Sequence, residues 1–186
     1  MSRFKILDAP MAGLKIVERF KHADERGFLA RLFCSEELQA AGWSKPIAQV
    51  NQTLTVRRGA VRGLHFQRAP HAEMKFINCI RGKVWDVAVD LRRDSLTFLK
   101  WFGIELSPDN NRALLIPEGF AHGFQALAAE TELIYFHSCA YHPDSEGALH
   151  VEEPCVGVQW PLPIAELSPR DRGHPKLSES FQGIAL

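Results

Sequence analysis

The sequence predicts an all-β fold, a sandwich or a barrel, on three observations. Nine short stretches rich in β-branched and aromatic residues recur between turn signals, only one segment has the marks of a helix, and the 186 residues fit one compact domain. Taken in order, the first strand expected is Phe28 to Phe33. The helix follows: Ser35 can cap it, Glu36 and Glu37 suit its positive end, and Gly42 ends a run through Leu38 and Ala41. Ala48 to Val56 and Ala60 to Phe66 flank the turn Arg57-Arg58-Gly59, and Phe76 to Ile80 and Lys83 to Leu91 flank Arg81-Gly82. Thr97 to Leu106 leads into Ser107-Pro108-Asp109-Asn110-Asn111, Ala113 to Ile116 into Pro117-Glu118-Gly119, and His122 to Leu127 and Glu132 to Ser138 complete the series.

Past Trp160-Pro161-Leu162-Pro163 the composition turns polar, so the reading is one domain over 1–186, with a core at about 4–163 and a tail, 164–186, that wraps the sheet. Lys and Arg total 22, as do Asp and Glu, so the net charge is +0; this lacks the electrostatic footprint of a nucleic-acid or membrane-surface binder. No uncharged apolar run approaches the roughly 18 residues of a membrane span, and Arg3, Lys5 and Asp8 break up the start where a signal peptide needs apolar residues, so a cytoplasmic protein is expected. Cys34, Cys79, Cys139 and Cys155 are widely spaced beside apolar segments and are expected to be reduced and buried as small hydrophobes.

Chemistry concentrates in a few places. RGLHFQ at 62–67 carries Arg62 and His65, Lys75 opens the next strand, PEGFAH at 117–122 delivers His122 after a turn, and Tyr135 and Tyr141 lie six residues apart. Strand alternation puts Arg62 and His65 on opposite faces, so they converge only if a twist or bulge intervenes. Along 84–91, Trp85, Val87, Val89 and Leu91 share one face and Val84, Asp86, Ala88 and Asp90 the other; the second face either lines a cavity or meets solvent.

These residues belong to a longer ordered set: DERGF at 24–28, Gln49 and Asn51, RGLHFQ, Lys75, RGKVWDVAVDLR at 81–92, TFLKW at 97–101, LSPDNNR at 106–112, IPEGFAHGF at 116–124, Tyr135, Tyr141 and SEG at 145–147. Over about residues 4–177 the chain resembles the dTDP-4-dehydrorhamnose 3,5-epimerase family. The resemblance implies a cupin-type jelly roll, a homodimer, a nucleotide-diphosphate sugar as substrate, and catalysis without a metal or other cofactor. It makes His65 the base, Asp171 in ELSPRD its carboxylate partner, Lys75 the group beside the keto oxygen and Tyr135 the acid across the sugar. Tyr141 matches the aromatic that stacks on the base, and Arg26, Gln49, Asn51, Arg62, His122 and Glu146 match substrate-binding positions. Such chemistry needs these residue types: protons beside a carbonyl are weakly acidic, removing one makes an enolate whose oxygen wants a cation, and inversion requires the new proton to arrive from the other face.

Three departures bear on substrate choice. Arg31 stands where the family has a Glu that binds the nucleotide, Val50 where Asp is common, and Arg170 where a Lys usually precedes the catalytic Asp, so the base-end pocket is expected to hold a different nucleotide or the same one differently. Alternatives are an epimerase that inverts only carbon 3 or carbon 5, a non-catalytic sugar-binding module, and a metal-dependent cupin using His65, Glu73 and His122. The last is disfavoured because Gln67 stands where a second histidine ligand belongs.

Overall fold

The computed structural model describes residues 2–178 and 180–186. Its strands are β1 (Phe4–Asp8), β2 (Lys15–Arg19), β3 (Lys21–Asp24), β4 (Gly27–Ala30), β5 (Gln49–Thr55), β6 (Val61–Gln67), β7 (Lys75–Arg81), β8 (Val84–Asp90), β9 (Trp101–Leu106), β10 (Arg112–Ile116), β11 (Phe120–Ala126), β12 (Thr131–His137) and β13 (Glu146–Ala148). Two short helices, α1 (Ser35–Gln39) and α2 (Pro169–Arg172), complete the elements that matter below. A six-stranded sheet runs β1-β2-β10-β7-β12-β5 and a five-stranded sheet β13-β6-β11-β8-β9, while β3 and β4 form a separate hairpin.

Alternation along the strands builds three apolar layers. Between the sheets lie Leu14, Ile77, Val84, Ala88, Leu114, Phe124 and Leu133. The outer face of the six-stranded sheet is covered by α1 and the residues after it, with Leu38 and Trp43 against Phe76 and Leu115. The outer face of the five-stranded sheet receives the tail, with Leu177, Phe181 and Ile184 joining Val87, Val89 and Leu91. This settles the face of β8: Val84, Asp86, Ala88 and Asp90 point inward, and both carboxylates are fully buried and paired, Asp86 with His122 and Asp90 with Arg92. Asp90 also accepts hydrogen bonds from Ser95 and Thr97, so the inward charge is compensated several times over.

The jelly roll is the predicted one, though among the described residues no ladder joins the two sheets, so it is a sandwich and not a closed barrel. β1, β2 and β3 are only four or five residues long and each carries two or three charges (FKILD, KIVER, KHAD), which hid them among polar sequence. The strand expected from Phe28 to Phe33 reaches only Ala30, because β4 pairs with β3 alone and leaves Phe28 and Leu29 exposed. Residues 97–100 form a turn, closed by Lys100 N–H to the Thr97 carbonyl (2.9 Å), before β9 begins. Ser35 is the first residue of α1 and not its cap; Cys34 holds that position with extended backbone and no side chain caps the helix. Gly42, at φ +100°, turns the chain out of it as expected. Cys155 is exposed, contrary to expectation, whereas Cys79 is buried and desolvation pushes its thiol pKa up to about 12.

Candidate active site

A cavity of about 290 Å3 opens between the sheets. The six-stranded sheet supplies Asn51 and Thr53 from β5, Lys75 from β7, and Tyr135 and His137 from β12. The five-stranded sheet supplies Arg62 and His65 from β6 and His122 from β11, and the tail adds Ser168, Arg170 and Asp171 around α2.

Arg62 and His65 both face this cavity because β6 is bulged against β11. His65 pairs with His122 but Arg62 pairs with Phe124, so two residues of β6 oppose the single Gly123. The extra residue rotates the strand and cancels the alternation that would separate the two side chains. Gly63 makes it possible: its φ is +134°, and a Cβ there would lie 2.5 Å from the Gly123 Cα.

His65 Nε2 lies 2.8 Å from Asp171 Oδ1, leaving Nδ1 as the free ring nitrogen. Asp171 is delivered by α2, whose first turn is capped by Ser168: its hydroxyl accepts from the Asp171 N–H at 3.0 Å, and Pro169 follows the cap. Burial alone would raise the Asp171 pKa, but the hydrogen bond and charge of His65, the Gly63 N–H and the nearby His174 together hold it below the ordinary carboxylate value. It is therefore an anion that fixes the imidazole's tautomer and direction.

Lys75 Nζ donates to the His65 carbonyl at 3.1 Å and pairs with Glu73 Oε1 at 3.1 Å. The other oxygen of Glu73 meets His137 Nδ1 at 2.8 Å. On the floor, His122 Nε2 is held by both oxygens of Asp86 at 2.9 and 3.1 Å. The Tyr135 phenol lies among these groups, its ring edge-on to His122 at 5.9 Å between centroids, and burial drives its pKa far above normal, with Thr53 and Arg62 opposing and Asp86 reinforcing the rise. The phenol therefore stays protonated at neutral pH.

Of the residues named from sequence, the cavity gathers His65, Asp171, Lys75, Tyr135, Arg62, Asn51, His122 and Arg170. Gln49, Tyr141 and Glu146 form a chain at its edge: Gln49 donates to Asn51 (3.1 Å), the Tyr141 N–H donates to Gln49 (3.0 Å), and the Tyr141 hydroxyl donates to Glu146 (3.0 Å), which also takes the Arg170 guanidinium. Tyr141 is half exposed at the cavity edge. Arg26 and Arg31 lie elsewhere: Arg26 pairs with Asp24 in the β3–β4 turn and Arg31 with Glu37 of α1. Sequence reading missed His137 and Glu73 as a pair. The signal for His137 was its place two residues after Tyr135, on the same face of β12.

The metal-cupin set is not assembled, because His65, Glu73 and His122 each answer to a different partner, Asp171, Lys75 with His137, and Asp86. Gln67 is spent on backbone, donating to the His71 and Ala140 carbonyls and accepting from the His142 N–H. Among the described residues, the one group whose donor atoms come within 4.8 Å of one another is His65, Asp171 and His174. Among the described residues no helix is long and apolar enough to cross a membrane.

Comparison with known proteins agrees with this geometry. The chain is 38% identical over 183 residues to a dTDP-4-dehydrorhamnose 3,5-epimerase of Methanothermobacter thermautotrophicus, covering 97% of this chain and 98% of that enzyme. The crystal structure of dTDP-6-deoxy-D-glucose-3,5-epimerase RmlC from Legionella pneumophila, in complex with dTDP-4-keto-L-rhamnose, superposes with a TM-score of 0.91 at 34% identity over 98% of both chains. ChmJ, a 3'-monoepimerase from Streptomyces bikiniensis in complex with dTDP-quinovose, superposes at 0.83 with 33% identity over 90% of this chain and 85% of its own. The family model described as dTDP-4-dehydrorhamnose 3,5-epimerase matches residues 8–179, and on this evidence the chain belongs to that family.

Proposed function

We propose that the chain is a nucleotide-sugar epimerase that takes dTDP-4-dehydro-6-deoxyglucose to dTDP-4-dehydrorhamnose by inverting carbons 3 and 5 through an enolate. The observation that carries the reading is the arrangement across the cavity: the His65–Asp171 pair, at 2.8 Å, stands on the five-stranded side, and Lys75 and Tyr135 stand on the six-stranded side. A sugar held between the sheets meets a base on one face and an acid on the other, which is what inversion asks for.

In this mechanism His65 Nδ1 removes a proton beside the carbonyl, and the Asp171 carboxylate stabilises the imidazolium that forms. Lys75, kept in place by Glu73 and the His65 carbonyl, compensates the charge that develops on the keto oxygen. Tyr135 delivers a proton to the opposite face. Arg62, whose Nε donates to Thr55 at 3.1 Å, and Arg170 at the mouth balance the diphosphate, and Tyr141 receives the base.

A homodimer completes the reading. Phe28 and Leu29 on the β3–β4 hairpin and Val50 and Leu54 on the edge strand β5 are exposed, an apolar surface that a second copy would cover. Since Arg26 and Arg31 stand apart from their own chain's cavity, they contribute to nucleotide binding only where a second chain carries them to it.

The experiment is incubation with a panel of 4-keto-6-deoxy sugars on dTDP, UDP, CDP and GDP, with NMR of the products. Epimer from the dTDP sugar supports the reading; turnover of another nucleotide alone assigns the departures at Arg31 and Val50 to base selection, and no epimer from any member removes the proposal.

A further inference from the structure

Glu73 and His137 form a histidine–carboxylate pair of which the roles above use only the hold of Glu73 on Lys75. Glu73 is largely buried between two partners, Lys75 Nζ at 3.1 Å and His137 Nδ1 at 2.8 Å. Burial alone would raise its pKa, but the Lys75 charge and the hydrogen bond and charge of His137 outweigh that and hold it low, so Glu73 is an anion at neutral pH. A single lysine would satisfy the charge; the second partnership orients a ring. With Nδ1 engaged by the carboxylate, Nε2 of His137 turns to the cavity, 3.5 Å from the Asn51 amide nitrogen, from which it accepts while the ring is neutral; once the ring is protonated, Nε2 is a donor. The His137 ring lies nearly parallel to that of Tyr135, 15° apart with centroids at 6.0 Å. Three histidines line the cavity, each paired with a carboxylate: His65 with Asp171 and His122 with Asp86 on the five-stranded side, and His137 with Glu73 on the six-stranded side.

We propose that His137 is a second proton donor, serving one of the two carbons beside the keto group while Tyr135 serves the other; this rests on the epimerase reading above. Carbons 3 and 5 lie on either side of the carbonyl carbon, and a side chain fixed at one is misplaced for the other. Tyr135 and His137, two residues apart on one face of β12, set two donors side by side opposite His65. The step balances without any redox partner. His65 Nδ1 takes the proton; the C–H pair becomes the C=C of the enolate and the carbonyl π pair moves onto oxygen beside Lys75. The carbonyl then re-forms, the enolate carbon takes the proton from His137 Nε2, and that N–H bond breaks to leave a neutral ring. Exchange with solvent removes the proton from His65 and returns one to His137.

The test is the regiochemistry of His137→Gln with dTDP-4-dehydro-6-deoxyglucose in deuterated water, the product inspected carbon by carbon. The variant is expected to lose about tenfold or more of its inversion at one carbon while the other stays within about threefold of wild type, with deuterium still entering at both. Tyr135→Phe is expected to show the reciprocal pattern, and Glu73→Gln to weaken the same carbon as His137→Gln. Thermal unfolding of each variant confirms that the fold is kept, and Glu73→Gln carries the test if His137→Gln does not fold. An equal fall at both carbons, which a merely structural support of Lys75 would give, overturns the inference, as does no change or a wild type that inverts a single carbon. A wild type that epimerises nothing overturns the epimerase reading itself, so the two failures are told apart.

Discussion

Asp171 shows how one carboxylate does two jobs at atomic range. It accepts from His65 at 2.8 Å, and its own backbone N–H is tied to Ser168, so the imidazole is aimed by a group that is itself aimed. Because the carboxylate acts through the imidazole, the two residues should behave as a unit. His65→Ala and Asp171→Ala are each expected to cut kcat by about two orders of magnitude or more, and the double variant to be little worse than His65→Ala alone. Steady-state kinetics on the four proteins checks this; losses that multiply would show two independent roles. The family resemblance singled out His65, Lys75, Tyr135 and Asp171, and the fold brings all four to one cavity. The partnership of Glu73 with Lys75 and His137 was not legible, since Glu73 lies in a loop before β7 and only the folded chain brings it to both.

At the scale of elements, the bulge in β6 decides whether there is a site at all. Gly63 at φ +134°, pressed against Gly123, lets two residues stand where one belongs and brings Arg62 round to the side of His65. Gly63→Ala places a Cβ against backbone in a conformation that L side chains rarely adopt. It is expected to lower Tm by several degrees and to abolish turnover, as measured by calorimetry and by product NMR. Full activity with an unchanged Tm would mean the bulge tolerates a side chain. The sequence held the need for a bulge but not its occurrence, because that depends on the register with β11, some sixty residues away. β5 to β12 were largely legible from turn residues and alternation. α2 was not read as a helix, although Ser168 and Pro169 carry the signals of its start, because four residues leave no periodicity to find.

For the molecule as a whole, the question is what a second chain adds. The cavity gathers His65, Lys75, Tyr135 and Asp171 from one chain, whereas Arg26 stands on an exposed hairpin with Phe28 and Leu29. If two chains pair, as proposed, so that this hairpin reaches the partner's cavity, mixing inactive Arg26→Ala with inactive His65→Ala restores activity. One of the two sites in each mixed dimer then combines an intact His65 with an intact Arg26, so about half of a wild-type dimer's turnover is expected per mixed dimer. Absence of complementation in a dimer verified by light scattering would confine Arg26 to its own chain. Charge balance fits this division of labour: a net charge of +0 leaves diphosphate recognition to local arginines and not to a basic surface.

The central claim is that protons leave the sugar on one face, to His65, and arrive on the other. Single-turnover reaction of dTDP-4-dehydro-6-deoxyglucose in deuterated water, comparing wild type, His65→Ala and Tyr135→Phe, tests it most directly. The account predicts deuterium at each inverted carbon in wild type and neither exchange nor inversion in His65→Ala. For Tyr135→Phe it predicts continued exchange, with inversion lost at the carbon that Tyr135 serves, because His65 can still remove a proton and return a deuteron to the face it came from. Epimer that forms without deuterium, or His65→Ala that exchanges at the wild-type rate, would contradict it.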